Sequence, residues 1–183
     1  MRITGGTLKG RRISVPHGGL EIRPAMDRMR ESVFAILGDL AGLSFLDLFA
    51  GSGILGLEAA SRDADPVVCV EKDRDKFPYL LENVAISARR IECHSMPAER
   101  FVLRNQTPFD VVFLDPPFPY AYRRELLSRL SGSATVSDEG LVLIHHPRED
   151  RLPGQIDRFG LVDEREYGRS VVKFYRAGRS ATP

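Results

Sequence analysis

Cysteine is scarce in this sequence, and long apolar runs are absent. The 183 residues include two cysteines, Cys69 and Cys93. They lie in separate apolar segments and form no C-x-x-C motif, so neither a disulfide framework nor a zinc site is predicted. No segment approaches the roughly 18 to 20 consecutive apolar residues that span a bilayer, and the N-terminus has no apolar signal region. We therefore expect a cytoplasmic protein with no membrane segment and no metal ion.

A large excess of one charge is also lacking, but the charges are unevenly distributed. The formal net charge is +1, which by itself does not indicate nucleic-acid binding. Residues 1–30, however, contain seven Lys and Arg residues and two acidic residues. Such an excess suits contacts with phosphates, which dominate nucleic-acid affinity. A solvated basic surface is the alternative interpretation.

The positions of glycines and of apolar residues predict the secondary structure of this basic segment and of the segments that follow. Gly5, Gly6 and Gly10 separate short extended stretches and predict a β-hairpin with basic residues on one face. Apolar residues with helical spacing follow Pro24, and a second helical pattern spans 72–84, where a kink or break is expected at Pro78. We expect a hairpin and helix extension at 1–40, a domain at 41–178 and a frayed tail at 179–183.

A glycine loop follows the first predicted strand of the domain. The apolar run 45–49 leads into the loop 50–53 and then into a helical pattern. Strand, glycine loop and helix in this order are typical of nucleotide binding, because glycine permits a close approach of the ligand and Gly56 lets the helix pack on the strand. Glu71 closes the next apolar run, where an acidic side chain can accept hydrogen bonds from both ribose hydroxyls of an adenosine.

Asp47 distinguishes two classes of cofactor. A carboxylate at the end of the first strand repels the pyrophosphate of NAD, but it attracts the ammonium and sulfonium groups of S-adenosylmethionine (SAM). We therefore favour SAM over NAD. An N-cap or loop-ordering role is the alternative for Asp47.

The tetrapeptide Asp115-Pro116-Pro117-Phe118 closes another apolar run, 111–114. The prolines stiffen the turn and have no N–H groups, so the turn's carbonyls are free to accept hydrogen bonds. The Asp115 carboxylate and the Pro116 carbonyl would hold the two N–H groups of a planar amine, and Phe118 would stack on the base, a contact of roughly 1–3 kcal/mol. The motif predicts methylation of a nucleobase amine, whereas a buried strand entering a proline-rich turn is the alternative.

Together these motifs resemble the bacterial RsmD-like family, which methylates a guanine N2 amine in small-subunit (16S) ribosomal RNA with SAM. The resemblance rests on residues 2–12, the Arg-Pro, Asp-Arg and Arg-Glu pairs within 23–31, the glycine loop and helix 46–59, and the turn 115–118. It implies an α/β, Rossmann-like methyltransferase fold with a seven-stranded, mostly parallel sheet and a terminal antiparallel hairpin. It also implies in-line transfer to a flipped base, without a metal, by a monomer acting on RNA in an assembled or partly assembled small subunit.

The candidate residues follow from these motifs and from the resemblance. The candidate catalytic residues are Asp115, Pro116, Pro117 and Phe118. The candidate cofactor-binding residues are Asp47, Ala50, Gly51, Ser52, Gly53, Gly56, Glu71, Lys72, Met96, Ala98 and Asp115. The candidate RNA-contacting residues are Arg2, Lys9, Arg11, Arg12, Arg23, Arg28, Arg30 and Tyr122.

Two positions depart from the family's pattern, and three other functions stay open. Ala25 and Met26 follow the Arg-Pro pair where the family usually has hydroxyl side chains. Pro97 stands where an acidic or amide side chain commonly reads the adenine of SAM, so the Ala98 N–H and Met96 would have to hold it. His145 and His146 are adjacent on a predicted strand and point to opposite faces, so a shared metal is not predicted. The alternatives are adenine-N6 methylation of DNA or RNA, protein glutamine methylation, and a non-catalytic RNA-binding assembly factor.

Overall fold

The computed structural model describes residues 1–15 and 24–179. Its helices are α1 Pro24–Leu37, α2 Ile54–Ser61, α3 Phe77–Val84, α4 Ala98–Arg104 and α5 Arg123–Ser131. Its strands are β1 Phe45–Asp47, β2 Val67–Glu71, β3 Ile91–Ser95, β4 Phe109–Leu114, β5 Val136–Pro147, β6 Gln155–Ile156, β7 Phe159–Tyr167 and β8 Ser170–Ala177.

The strands form one sheet in the order β3-β2-β1-β4-β5-β8-β7-β6. The first five strands are parallel, whereas β8 and β7 form the predicted terminal antiparallel hairpin beside β5. The Rossmann-like α/β fold is therefore confirmed. The sheet has eight strands in the described residues instead of the expected seven, because the short β6 pairs with the start of β7.

Helices cover both faces of the sheet, as expected for parallel strands that are apolar on both sides. On one face, α4 and α5 pack against Leu46 and Val112. On the other, α1 and α2 pack against Phe45 and Phe113. Helix α1 thus contributes to the main core, and the predicted division into a 1–40 extension and a 41–178 domain stays a prediction.

Two local predictions differ from the structure. Residues 1–13 form a loop closed by a single antiparallel bridge between Arg2 and Arg12, not a regular β-hairpin. Several of the loop's N–H groups donate to α2 instead of to a partner strand, among them Thr4 N to Glu58 and Thr7 N to Ser61. The helix predicted from Lys72 is also wrong at its start.

Helix α3 begins at Phe77, so Pro78 lies in its first turn and causes no kink. The missing N–H of proline needs no partner at that position. Of the helices in 24–179, none is long and apolar enough to cross a membrane.

Candidate active site

A cavity of about 740 Å³ lies at the carboxyl ends of the parallel strands, which is where open α/β sheets bind ligands. The glycine loop after β1, residues 71–73 at the end of β2, the turn 115–118 after β4 and His145 of β5 line it. Met1, Val15, four residues of α1, two residues of α2 and Lys76 also contribute to the lining. The structure therefore brings both sequence motifs into one cavity, with the N-terminal segment as part of its wall.

The backbone of the glycine loop has the conformation that its glycines permit. Gly51 has φ 52° and Gly53 has φ 82°, values that favour glycine because other residues are strained there. Ala50, Gly51 and Ser52 line the cavity. The Ser52 carbonyl accepts a 2.9 Å hydrogen bond from the buried amide of Asn83 in α3, so a neighbouring helix fixes the loop.

Gly56 lies away from the cavity surface and packs against β2. A Cβ at this position would be 2.4 Å from Cys69 Sγ, closer than two such atoms can approach. Gly56 therefore allows α2 to lie directly on the sheet, as the sequence suggested. A direct contact between Gly56 and the cofactor stays a prediction.

Glu71 and Lys72 line the cavity beside the glycine loop. Glu71 accepts hydrogen bonds from Gly51 N at 2.7 Å and from Asp73 N at 2.8 Å. Each carboxylate oxygen retains a second lone pair, so Glu71 can still accept ribose hydroxyls. The same side chain thus fixes the loop and offers acceptors to a ligand.

Asp47 is fully buried between the two motifs, and its Oδ2 accepts no hydrogen bond from a described residue. Burial, and then the carboxylate charges of Asp115 and Glu71, raise the pKa of Asp47 well above its usual range. Asp47 does not line the cavity, so its charge would act on a ligand without direct contact. A cationic ligand such as SAM would stabilise the charged forms of these neighbouring carboxylates, whereas a pyrophosphate would not.

The Asp115 carboxylate lies at the cavity and contacts the adjacent strand. Asp115 Oδ1 is 2.8 Å from His145 Nδ1, while no described residue donates a hydrogen bond to Oδ2. The Phe118 side chain is 42% exposed and lines the cavity, with its ring centroid 5.7 Å from that of His145. One carboxylate oxygen and one aromatic face are therefore available to a ligand.

Arg123, at the start of α5, holds the turn in place. Its guanidinium donates to the carbonyls of Pro117 at 3.0 Å and Phe118 at 2.9 Å, to the Tyr120 carbonyl, and to Asp150 at 2.7 Å. The side chain is 5% exposed, so Arg123 is not available to a phosphate. The Pro116 carbonyl has no donor in the described residues, which is the state the sequence predicted for an amine acceptor.

Sequence reasoning missed Asn83, proposed Arg123 as a possible phosphate contact, and allowed one of the two histidines near the site without a part in the reaction. A signal existed for His145, because it follows the apolar run 141–144 as Asp115 follows 111–114, and the structure pairs Leu114 with Ile144. The next residues in those strands, Asp115 and His145, are then neighbours at the same sheet edge. No comparable signal existed for Arg123 or Asn83, whose partners are backbone carbonyls in other loops.

Three other candidates lie away from the cavity. Met96 packs against the core, and Ala98 is buried at the start of α4, and neither lines the cavity. Tyr122 is 65% exposed and contacts Tyr120 edge-on, outside the cavity lining. Their contacts with adenine or RNA stay predictions.

The predicted RNA-contacting arginines fall into two groups. Arg2, Lys9, Arg11, Arg12 and Arg28 are exposed, and Arg23 lies outside the described residues. Arg30 differs, because its side chain is 4% exposed and occupied by other contacts. Arg30 also lies in the cavity lining, and its contact with RNA stays a prediction.

Arg30 belongs to a buried ion-pair network around Glu58 of α2. Glu58 is fully buried and pairs with Arg30 Nε at 3.1 Å and with Arg62. Arg30 also donates to the Arg2 carbonyl at 2.9 Å, and the Thr4 N–H donates to Glu58 at 2.7 Å. The network holds the basic N-terminal loop against α1 and α2.

Known proteins resemble the chain over most of its length. A family model described as "Conserved hypothetical protein 95" matches residues 1–176. Ribosomal RNA small subunit methyltransferase D of Escherichia coli (strain K12) is 34% identical over 178 residues, which are 96% of this chain and 89% of that protein. The protein of the same name from Haemophilus influenzae is 33% identical over 158 residues, 83% of this chain and 81% of that protein.

A solved structure shows the same similarity in three dimensions. The structure of yhhF from Escherichia coli is 34% identical, superposes with a TM-score of 0.87, and covers 97% of this chain and 98% of that one. The region matched by the family model contains the basic N-terminal loop, the glycine loop and the Asp-Pro-Pro-Phe turn. The chain therefore belongs to the conserved hypothetical protein 95 family, the RsmD-like family, and is a methyltransferase.

Proposed function

We propose that this methyltransferase transfers a methyl group from SAM to the exocyclic N2 amine of a guanine in small-subunit (16S) ribosomal RNA. The observation that carries the proposal is the cavity in which the glycine loop lies beside Asp115, with Oδ2 and the Pro116 carbonyl free to accept hydrogen bonds. The 34% identity to a small-subunit ribosomal RNA methyltransferase supports the choice of RNA. We further propose that the enzyme is a cytoplasmic monomer whose substrate is an assembled or partly assembled small subunit.

The cofactor site follows from the residues around the glycine loop. When bound, SAM supplies an electrophilic methyl group. Glu71 would accept the ribose hydroxyls, the loop 50–53 would contact the cofactor through its backbone, and the charges of Asp47, Glu71 and Asp115 favour its cationic groups. The amine-binding oxygens of Asp115 and Pro116 line the same cavity, so acceptor and donor are held close together.

The acceptor amine needs to be oriented, because its lone pair is delocalised into the base. Asp115 Oδ2 and the Pro116 carbonyl would each accept one N–H, which turns the lone pair toward the methyl group. Phe118 would stack on the base. As the nitrogen takes the methyl group, the bond between that carbon and the sulfur of SAM would break, which leaves S-adenosylhomocysteine as the neutral product. The nitrogen, now positively charged, would then release a proton to water, so no base has to remove it first. Catalysis then rests on positioning and on fixed charge.

A base within structured RNA has to leave its stack to reach Asp115, so we propose a flipped guanine. The exposed basic residues of the N-terminal loop would bind the surrounding phosphates. Replacing Arg11 and Arg12 by glutamine should lower RNA affinity and reduce its salt slope by roughly 1.5, about 0.7 to 0.9 per lost phosphate contact. Arg104→Gln/Arg129→Gln removes two exposed charges from α4 and α5 as a matched control. Equal slopes in both double variants would refute this role for the loop.

The reaction is tested by transfer of a radiolabelled methyl group from SAM, followed by nucleoside analysis. Unmodified small subunits, free ribosomal RNA and DNA serve as acceptors for the wild type, Asp115→Asn, and Asp39→Asn as an exposed control. We expect label in N2-methylguanosine, with turnover largely lost in Asp115→Asn but SAM binding retained. Label in N6-methyladenosine would replace the proposed acceptor, and SAM binding without transfer to any nucleic acid would refute the proposed function.

A further inference from the structure

We infer that His145 is a positioning residue for methyl transfer, because it fixes the Asp115 carboxylate so that one oxygen faces the acceptor amine. His145 acts in this way only if Asp115 orients that amine, so the inference rests on the proposed function. Sequence reasoning assigned this histidine no part in the reaction. The structure places it in contact with Asp115, at the end of the neighbouring strand.

The contact between the two side chains is direct. His145 Nδ1 lies 2.8 Å from Asp115 Oδ1. For the carboxylate to accept this bond, Nδ1 must carry the proton, which leaves Nε2 without one in the neutral ring. Nε2 is fully buried and has no partner in the described residues. The ring thus has one hydrogen bond, and that bond is to Asp115.

The environment of His145 restricts its ring. The side chain is 1% exposed, and Phe118 packs against it with ring centroids 5.7 Å apart. A buried ring in a close-packed strand has little rotational freedom. Its Nδ1 is therefore a fixed donor, and Asp115 is the side chain that it fixes.

Fixing Asp115 matters because the carboxylate has few other restraints. It is 23% exposed, and its hydrogen bond to His145 is its only one to a described residue. Without that bond the carboxylate can rotate, and either of its two oxygens, or neither, can then face the acceptor amine. With the bond, Oδ1 is occupied and the carboxylate is held in one orientation, which leaves Oδ2 as the oxygen available to the amine. Small displacements of such groups can lower turnover by about 100-fold.

Three substitutions separate positioning from simple packing. His145→Asn keeps an N–H donor at the Nδ1 position, because both nitrogens are bonded to Cγ. His145→Gln moves the donor outward to the Nε2 position, and His145→Leu removes it. We expect kcat to fall by about 10- to 100-fold in the leucine and glutamine variants, with the KM for SAM nearly unchanged, while the asparagine variant keeps most of its activity.

The matched control is His146→Asn, on the opposite face of β5. His146 is equally buried, but its Nδ1 is hydrogen-bonded to the Pro147 carbonyl and not to a residue that lines the cavity. We expect wild-type kcat from this variant. If His145 only filled the core, His145→Asn would lose activity and stability as His145→Leu does, and the inference would be wrong.

A double-variant comparison tests whether His145 acts through Asp115. In an Asp115→Asn background, His145→Leu should cause no further loss of kcat, because the group that it positions is already altered. If the double variant lost kcat by the product of the two single-variant factors, the inference would be overturned. All rates are measured with the acceptor that the wild type methylates, so a different acceptor would refute the proposed guanine specificity without deciding the role of His145.

Nitrogen NMR of the wild-type protein provides a measurement that needs no active variant. We expect a proton on Nδ1 of the His145 ring, and a shift of that proton signal in Asp115→Ala. A ring with no proton on Nδ1, or a signal that does not respond to Asp115→Ala, would show that the hydrogen bond is absent and would overturn the inference.

Discussion

Replacing Gly56 by alanine tests whether this glycine serves packing or cofactor contact. The added Cβ would lie 2.4 Å from Cys69 Sγ and 3.5 Å from Val67 Cγ1. Overpacking of this kind costs about 1–3 kcal/mol, whereas exchanging glycine for alanine inside a helix stabilises by about 1 kcal/mol. We expect a net loss of about 1 kcal/mol in the free energy of unfolding, which lowers Tm by about 2–4 °C for a chain of this size.

The sign of this effect should reverse when the sulfur is removed. Cys69→Ala leaves space beside α2, so Gly56→Ala in that background should gain about 1 kcal/mol from helix propensity alone. Chemical denaturation of the wild type, the two single variants and the double variant gives the coupling, which we expect to be about 2 kcal/mol. If Gly56→Ala changed the free energy of unfolding in the same direction with and without Cys69, the packing explanation would be refuted.

Cofactor affinity separates the two roles of Gly56. Gly56 does not line the cavity, so the double variant should bind SAM with wild-type affinity once the clash is relieved. Calorimetric titration of SAM into the four proteins measures this. Weak binding by a stably folded double variant would instead place Gly56 in contact with the cofactor.

Three further predictions concern buried charges. The pKa of Asp47 is raised, so the apo protein should lose stability from this group as the pH rises above about 4. Asp47→Asn should therefore be the more stable protein at neutral pH but not in acid, and a pH-independent difference in urea midpoints would contradict this. Arg30→Gln leaves the buried Glu58 with one partner fewer and should cost roughly 3 kcal/mol; equilibrium unfolding measures this, and a loss below that of exposed Arg28→Gln would contradict it. Arg123→Leu should lower kcat with SAM affinity retained, whereas the exposed neighbour Arg124→Leu should not, and equal kcat values would rule out the role of Arg123 in holding the turn.

Much of the fold was predictable because its determinants are local in sequence. Buried parallel strands are continuous apolar runs, and each run here ends in a polar residue at the sheet edge, as at Asp47, Glu71 and Asp115. Met96 and Ala98 rest on alignment with the family and not on a local pattern. In the structure Met96 packs against the core and Ala98 is buried at the start of α4, so their contacts with the cofactor stay predictions.

The N-terminal segment shows what sequence reasoning could not supply. Glycine spacing predicted a hairpin, but Glu58 and Ser61 of α2 compete for the same backbone donors, and their contribution depends on tertiary packing. Arg30 was assigned to RNA because it lies off the apolar stripe of α1. Its burial follows from Glu58, which lies 28 residues away in sequence. Basic residues on a helix cannot be divided into surface and buried groups without knowing the acidic partner.

The distribution of charge also explains why a base, and not the RNA backbone, would reach the reactive site. The carboxylates of Glu71 and Asp115 line the cavity beside the glycine loop, where they favour a cationic cofactor and disfavour a phosphate. The exposed cations of the N-terminal loop attract phosphates, and this loop is held to α2 by the Glu58 network. In the proposed complex, RNA bound through its phosphates to that loop would approach Asp115 with an uncharged part, the nucleobase. A flipped base can enter the acidic cavity while the phosphates on either side of it stay at the basic N-terminal loop. The charges that favour a cationic cofactor therefore also favour the proposed mode of substrate binding.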